Sequence, residues 1–285
     1  MSTASTAIPA RAASPGGSAV SFGGILRSEA IKLFSLRSTI WCLAIIFVVP
    51  IGLAFLLAGT VGDTVGIPQD AQQSIWVQSA TLGIGFSQLV VAVLGVLVIT
   101  GEYSTGMIRS TLVAVPRRIP ALLAKALVIG AVTFLVALAS ILAAAFLPLG
   151  LLASSGVQPD LGDPAAWWAF LGGAGYLALL STLALAIGTI VRNSAGGIAA
   201  VLGLLLVLPT VLQILVAITG AEWARNVGTF LPDSAGGRMF AYVTEAQAAP
   251  AGVLVLEPWQ GLLVLSAWVT ALLLLAALLL KRRDA

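Results

Sequence analysis

Six long stretches without a charged residue set the pattern of the chain. A helix needs about 20 apolar residues to cross a hydrocarbon core of about 30 Å, so each stretch can hold one crossing. Strands are disfavoured, because the stretches lack the alternating pattern, about ten residues long, of an outer-membrane barrel. We therefore predict an all-α membrane protein with six transmembrane helices, at about 39–59, 75–99, 126–148, 167–190, 197–218 and 259–280.

The amino-acid composition agrees with this class. Hydrophobic residues make up 59% of the 285 residues and charged residues only 9%, against roughly 25% charged residues in a soluble domain. A water-soluble fold could not cover its surface with so few polar groups. We expect one polytopic domain over residues 21–285 and a disordered cytoplasmic tail over residues 1–20, which are rich in Ser, Ala, Pro and Gly.

The charges in the loops predict the orientation. With both termini in the cytoplasm, twelve of the 14 basic residues lie inside and only Arg225 and Arg238 lie outside. Three acids, Glu29, Glu102 and Asp284, fall inside, and the other eight fall outside. Because Lys and Arg concentrate in cytoplasmic loops, this division favours cytoplasmic termini. The bases then serve as anchors beside lipid headgroups, so we expect no nucleic-acid partner.

Absent residues exclude several kinds of chemistry. The chain has no histidine, which excludes HExxH zinc sites and His-assisted nucleophiles. It also has no GxxxxGK[ST] loop, so it cannot bind ATP by that route. We therefore expect no catalytic, cofactor-binding or metal-binding residues in this chain, and we do not expect an enzyme.

The densest cluster of charge lies in residues 101–125, between the second and third predicted spans. Apolar residues from Tyr103 to Val115 fall mainly on one half of a helical wheel, which predicts an amphipathic helix closed by Pro116. One interpretation is an interfacial helix that holds the two spans. The other is a docking helix that meets a cytoplasmic partner and carries motion to both spans.

Sequence motifs then point to a family. Residues 101–127, GEYSTGMIRSTLVAVPRRIPALLAKAL, resemble the signature loop of ABC-2 type permeases, the membrane subunits of bacterial ABC exporters. Residues 25–41, ILRSEAIKLFSLRSTIW, resemble the amphipathic helix that precedes the first span in that family. IGTIVRNSAGGIAAVLGLLLVLP resembles its fourth and fifth spans, and FLPDSAGGRMF resembles its outer loop.

The resemblance implies a transport role driven from outside the chain. It implies a permease subunit in the bacterial plasma membrane, paired with a second permease copy as a homodimer or as a heterodimer with a paralogue. ATP and Mg²⁺ would be bound by a separate ABC ATP-binding subunit. The residues implied to couple to that subunit are Glu102, Tyr103, Met107, Arg109 and Leu112.

Other positions receive more general roles. The bases expected to anchor the chain at the lipid surface are Arg117, Arg118, Lys125, Arg192, Lys281, Arg282 and Arg283. The polar residues that could line a substrate path are Gln78, Gln88 and Gln213, although interhelical hydrogen bonding is the alternative. A helix over residues 22–36 would lie along the inner leaflet, but Glu29 interrupts its apolar stripe.

The segment between the fifth and sixth spans, residues 222–257, is long for a simple connection. Helical spacing predicts two short outer helices, separated at Pro232, with Asp233 as a possible cap of the second. They would either re-enter the membrane or form a solvated loop.

An alternative function is a stand-alone secondary carrier or channel for a neutral or amphipathic solute. The predicted spans contain no charged residue. This counts against an ion-coupled carrier, because such carriers usually keep a charged residue at membrane depth. A sensor without transport activity is a more remote alternative.

Overall fold

We describe the protein from a computed structural model, which covers residues 21–64, 66–107, 118–242 and 254–282. Within these ranges the chain is helical and contains no strand. Six helical segments are long and apolar enough to cross a membrane, which confirms the predicted number. Spans 1 to 6 are Arg37–Thr60, Gln69–Ser104, Ile119–Ser154, Pro164–Val191, Ser194–Thr219 and Pro258–Arg282.

The N-terminal helix, Phe22–Ser35, precedes span 1. Ser21 caps it, because the Ser21 hydroxyl accepts a hydrogen bond from the Gly24 amide at 3.2 Å. Its buried residues are Ile25, Glu29 and Leu33, which are spaced four apart and therefore share one face. The helix ends at an extended Leu36, and the helix of span 1 begins at the next residue. Residues 1–20, for which the sequence predicts a disordered tail, lie outside the described ranges.

Span 2 consists of two helices, Gln69–Thr81 and Ile84–Ser104, rather than one. The interruption lies beside Pro50 of span 1: a Cβ atom placed on Gly83 would stand 2.3 Å from the Pro50 Cα. Only glycine permits this approach of two backbones. The sequence pattern predicted a single helix over 75–99, because this break depends on a contact with another span.

Spans 3 and 5 are also made of more than one segment. Span 3 comprises the helices Arg118–Phe146 and Leu149–Ser154. Span 5 comprises Ser194–Leu202, a π-helical turn over Gly203–Val207 and the helix Leu208–Thr219. Pro209 follows the π-helical turn, and its lack of an amide hydrogen disfavours a regular helix over the preceding turn.

The spans differ in how much of each is covered by the rest of the chain. Spans 2 and 4 form the centre of the bundle. In the most apolar 18-residue stretch of each, 56% and 67% of the residues are buried. The corresponding shares are 17% for spans 5 and 6 and 22% for span 1. Broad apolar faces of the outer spans are therefore left for lipid or for another polypeptide.

The two ends of the bundle carry opposite charge. We call the end with the N-terminal helix, the junction of spans 4 and 5, and Lys281 the basic end. The opposite end is the acidic end, where the described acids are Asp63, Asp70, Asp160, Asp163, Glu222, Asp233 and Glu257. The described bases at the acidic end are Arg225 and Arg238.

Two short helices follow span 5 at the acidic end, helix A over Glu222–Thr229 and helix B over Pro232–Met239. Helix B packs tightly against span 4. A Cβ atom on Gly172 would stand 1.8 Å from the Met239 carbonyl oxygen, and one on Gly236 would stand 2.1 Å from the Tyr176 ring. Tyr176 lies twelve residues, about 18 Å, beyond the start of span 4. Helix B is thus inserted deep among the spans.

Candidate functional site

Four charged residues from three helices meet at the basic end. Glu29 and Lys32 belong to the N-terminal helix, Glu102 to the last turns of span 2, and Lys125 to the helix of span 3. We call these four residues the ion cluster. Glu102 and Lys125 lie on either side of the segment that connects span 2, which ends at Ser104, with span 3, which begins at Ile119.

Lys125 is the centre of the ion cluster. Its ammonium group donates hydrogen bonds to Glu29 Oε2 and, at 2.8 Å, to Glu102 Oε1. Lys32 joins the same two acids, at 2.7 Å from Glu29 Oε1 and 3.3 Å from Glu102 Oε1. Two carboxylates and two ammonium groups have no net formal charge, so the cluster is electrically balanced.

The ion cluster is mostly shielded from solvent. Glu29, Glu102 and Lys125 are only 3%, 5% and 5% exposed. Burying each of these charges costs several kcal/mol, and the loss of one partner from a buried pair costs about 3–5 kcal/mol. The cluster therefore joins the N-terminal helix to spans 2 and 3 through contacts that are costly to break singly.

Lys32 is the most accessible member, since its side chain is 27% exposed. Partial burial lowers the pKa of Lys32, but the hydrogen bonds and opposite charges of Glu29 and Glu102 outweigh this effect. The net result is a pKa above the ordinary lysine value. Lys32 consequently stays protonated throughout the physiological range.

The ion cluster contains two residues for which the sequence suggests other roles. Lys125, expected to anchor the chain at the lipid surface, is buried between two carboxylates. Glu102 is bonded within the chain, whereas its expected role was contact with a partner. The signal in the sequence was Glu29, which lies on the apolar stripe because that face is buried and its carboxylate is paired there.

A cavity of about 400 Å³ adjoins the ion cluster. All four charged residues line it, together with apolar side chains from the N-terminal helix and spans 2 and 3. Glu102 Oε2 is buried and accepts no hydrogen bond from any residue in the described ranges. Met107 also lines this cavity, so the start of the connecting segment forms one wall.

Tyr103 and Arg192 form a second link at the basic end. The Arg192 guanidinium lies 5.4 Å from the centre of the Tyr103 ring, a cation–π contact between the end of span 2 and the turn after span 4. Arg192 has a left-handed backbone, with φ of 59°. Nearby, the Ser194 hydroxyl donates to Thr100 Oγ1 at 2.8 Å. Arg192 is therefore held against the protein and is only half-buried.

The predicted helix over 103–115 is described only in part. Tyr103 and Ser104 continue the helix of span 2, which ends there, and Gly106 has a left-handed φ of 71°. The predicted start at Tyr103 is thus too early. Met107, a predicted coupling residue, is exposed. The predicted site residues Arg109, Leu112, Arg117 and Arg283 lie outside the described ranges, as does the side chain of Arg118.

Comparison with known proteins adds no relative. No protein-family model matches this chain, and no curated protein matches it. Its function is therefore inferred from its own motifs and geometry. Within the described ranges, no three His, Cys, Asp or Glu side chains are grouped so that they could hold a metal ion.

The three glutamines considered for a substrate path lie in different surroundings. Gln78 is exposed on the first helix of span 2. Gln88 accepts a hydrogen bond from the Tyr176 hydroxyl of span 4, which is the interhelical role. Gln213 is exposed on span 5 and lines a separate cavity at the acidic end. These residues do not form one site.

Asp233 of helix B is a polar contact that the sequence did not predict. It does not cap helix B, whose N-cap residue is Leu231. Instead, its carboxyl group lies beside the Gln88 and Tyr176 side chains. Burial raises the pKa of Asp233, and the polar Gln88 and Tyr176 side chains beside it only partly oppose this rise. A carboxyl group is thus brought to the middle of spans 2 and 4 by a helix outside the six spans.

Proposed function

We propose that this chain is the permease subunit of a bacterial ABC exporter. It works in the plasma membrane with a separate ATP-binding subunit and a second permease copy. The motif resemblance supports the family, and the ion cluster supports the mechanism. The main observation is that Glu102 and Lys125, on either side of the segment that resembles a coupling loop, form an ion pair, and that Lys125 also pairs with Glu29 of the N-terminal helix.

The proposed mechanism is mechanical. The connecting segment leaves span 2 after Ser104 and returns in the helix that begins at Arg118. A force on this segment acts on both spans at once, because Glu102 and Lys125 are paired at its base. The same pairs transmit that force to the N-terminal helix through Glu29. ATP binding and hydrolysis take place in the partner, and this chain carries out no bond chemistry.

The ion cluster also defines one conformational state. Separating spans 2 and 3 at the basic end requires at least one buried ion pair to open, at a cost of several kcal/mol. We infer that the cluster keeps the basic end closed until the ATP-binding subunits move the connecting segment. The broad exposed faces of spans 1, 5 and 6 suit lipid and a second permease copy.

Crosslinking from the connecting segment tests this proposal. We would place one cysteine at Ser110 in a Cys42→Ser background, with Ser154→Cys at the acidic end as the matched control. In intact cells a membrane-impermeant maleimide should label only residue 154. A crosslinker attached to residue 110 should capture a polypeptide that contains GxxxxGK[ST]. Labelling of residue 110 from outside the cell, or no nucleotide-binding partner, would overturn the proposal.

One observation favours an ion-coupled carrier as a second candidate. Asp233 provides a carboxyl group beside Gln88 and Tyr176, and ion-coupled carriers use such groups at membrane depth. The purified protein alone, in liposomes that contain a pH-sensitive dye, distinguishes the two functions. Collapse of a pH gradient when a neutral solute is added, abolished by Asp233→Asn, supports the carrier. Absence of solute-dependent proton movement supports the permease subunit.

A further inference from the structure

The two bases of the acidic end share one cavity. This cavity has a volume of about 360 Å³ and lies between the second half of span 5, helix A and helix B. Arg225 of helix A and Arg238 of helix B both line it. The acidic end is otherwise dominated by carboxylates, so this cavity concentrates the positive charge of that end.

Among the described residues that line this cavity, none is Asp or Glu. In the part of the chain that the structure describes, neither Arg225 nor Arg238 forms an ion pair; the salt bridges there belong to the ion cluster. Two guanidinium groups without a carboxylate partner among the described residues favour binding of an anion.

The remaining walls divide into a polar part and an apolar part. Hydrogen-bonding side chains come from Gln213, Thr229 and Ser234. Leu212 and Val216 of span 5 form part of the apolar wall. A free inorganic anion would use only the polar part, whereas an amphiphile would use both parts.

Exposed tryptophans favour a position for this cavity near the boundary between lipid headgroups and acyl chains. Exposed tryptophans, which are enriched at membrane interfaces, surround the bundle at the acidic end. They are Trp167, Trp168, Trp223 and Trp259. Trp223 belongs to helix A, directly beside the cavity. Ile214 and Ile218 are exposed on the helix Leu208–Thr219, the second half of span 5, which also lines the cavity.

We propose that this cavity is a binding site for an anionic, phosphate-bearing lipid of the leaflet at the acidic end. Arg225 and Arg238 bind the phosphate, and the polar side chains bind the rest of the headgroup. The acyl chains lie along the apolar half of span 5. This site is separate from the ion cluster, and its occupancy does not depend on the proposed transport function.

The test measures lipid retention by the full-length protein. The protein is purified in a neutral detergent and mixed with equal amounts of phosphatidylglycerol and phosphatidylcholine that carry the same acyl chains. Bound lipid is counted by native mass spectrometry. We expect one phosphatidylglycerol per chain, preferred by roughly 30-fold, because each arginine contributes to the attraction of an anionic headgroup.

Charge variants locate the site. Arg225→Gln combined with Arg238→Gln should reduce the preference to near unity. Arg27→Gln combined with Arg282→Gln removes the same charge at the basic end, and it should leave the preference intact. Equal retention of both lipids by the wild-type protein, or equal loss of preference in both double variants, would overturn the proposal.

A second measurement needs no variant and covers the case in which the double variant fails to fold. Phosphatidylglycerol with a photoreactive acyl chain is crosslinked to the wild-type protein, and the attachment site is found by peptide mass spectrometry. We expect attachment within residues 208–229. Attachment only on other spans contradicts the site. Displacement of the lipid by an equal concentration of glycerol 3-phosphate would show a soluble-phosphate site instead.

Discussion

The carboxylate of Glu29 accepts a hydrogen bond from Lys125, a residue 96 positions later in the chain. Both side chains are buried. This pair fixes the N-terminal helix onto span 3 and, through Glu102, onto span 2. The basic end is therefore joined by balanced charges at a position where the sequence pattern predicts membrane anchors.

Removing the central base should strongly destabilise the protein. Lys125→Met keeps the length of the side chain but leaves two buried carboxylates with only Lys32. We expect a loss of about 3–5 kcal/mol in the free energy of unfolding, measured by thermal or denaturant unfolding in detergent.

The matched control is Lys281→Met, which removes a base from the exposed last turn of span 6 and should change stability by less than about 0.5 kcal/mol. Lys125→Met combined with Glu102→Gln restores the charge balance and should recover part of the loss. Equal stability of the Lys125→Met and Lys281→Met proteins would mean that the ion cluster contributes nothing.

Lys32 gives the ion cluster a dependence on alkaline pH. Its pKa in the folded protein lies above the ordinary value of 10.5. The stabilisation from its charge is therefore fully present below pH 10.5 and is lost as the pH rises through the folded pKa. We expect Lys32→Gln to be less stable than the wild-type protein at pH 8, with a difference that narrows above pH 10.5.

Unfolding midpoints measured from pH 8 to pH 12 check this prediction. Lys32→Arg keeps the positive charge, so its unfolding midpoint should equal that of the wild-type protein up to pH 10.5. Above pH 10.5 the Lys32→Arg protein should be more stable than the wild-type protein. A constant difference between the Lys32→Gln and wild-type proteins across the range would contradict the assignment.

Adjacent glycines in helix B should respond differently to alanine. A Cβ atom on Gly236 would stand 2.1 Å from the Tyr176 ring, whereas one on Gly237 would meet no atom within 4 Å. We expect Gly236→Ala to lower stability by about 1–3 kcal/mol through overpacking. Gly237→Ala should be neutral or stabilising by up to about 1 kcal/mol, because alanine is the better helix former.

Protease sensitivity provides a second measurement of the same change. If helix B is displaced from span 4, limited proteolysis should cut the Gly236→Ala protein between spans 5 and 6 faster than the Gly237→Ala protein. Identical cleavage rates and identical stabilities would show that helix B does not pack against Tyr176.

Protonation of Asp233 should stabilise the folded protein. Burial raises its pKa, so the folded state binds the proton more tightly than the unfolded state. This stability is present at low pH and is lost as the pH rises from 3.8 through the folded pKa. We expect Asp233→Asn, which imitates the protonated acid, to be at least as stable as the wild-type protein at pH 7.

The comparison is made by unfolding between pH 4 and pH 8. The difference in unfolding stability between the Asp233→Asn and wild-type proteins should become smaller as the pH falls. Glu222→Gln, at an exposed carboxylate of helix A, is the control and should show no such convergence. A wild-type protein that is more stable than Asp233→Asn at pH 7 would contradict the prediction.

The six spans could be predicted from the sequence because the exclusion of charge from lipid acts on every residue of a crossing. The interruption at Gly83 could not, because it depends on the close approach of Pro50. The inserted position of helix B likewise depends on glycines in span 4. Local hydrophobic pattern does not encode such contacts between distant segments.

The ion cluster was visible in the sequence only as separate charges. Glu29 interrupted an apolar stripe, and this was the one local sign that a base had to lie opposite it. Which base it pairs with depends on how the N-terminal helix crosses span 3, and the spacing of residues does not determine that crossing. For the same reason, Asp233 was predicted as a helix cap although it contacts spans 2 and 4.

The long separation of Glu29 and Lys125 has a consequence for how the protein is made. The N-terminal helix leaves the ribosome well before span 3, so Glu29 has only Lys32 as a partner during the insertion of spans 1 and 2. Its apolar face cannot reach its final position until Lys125 has been synthesised. Docking of the N-terminal helix through Lys125 therefore follows synthesis of the start of span 3.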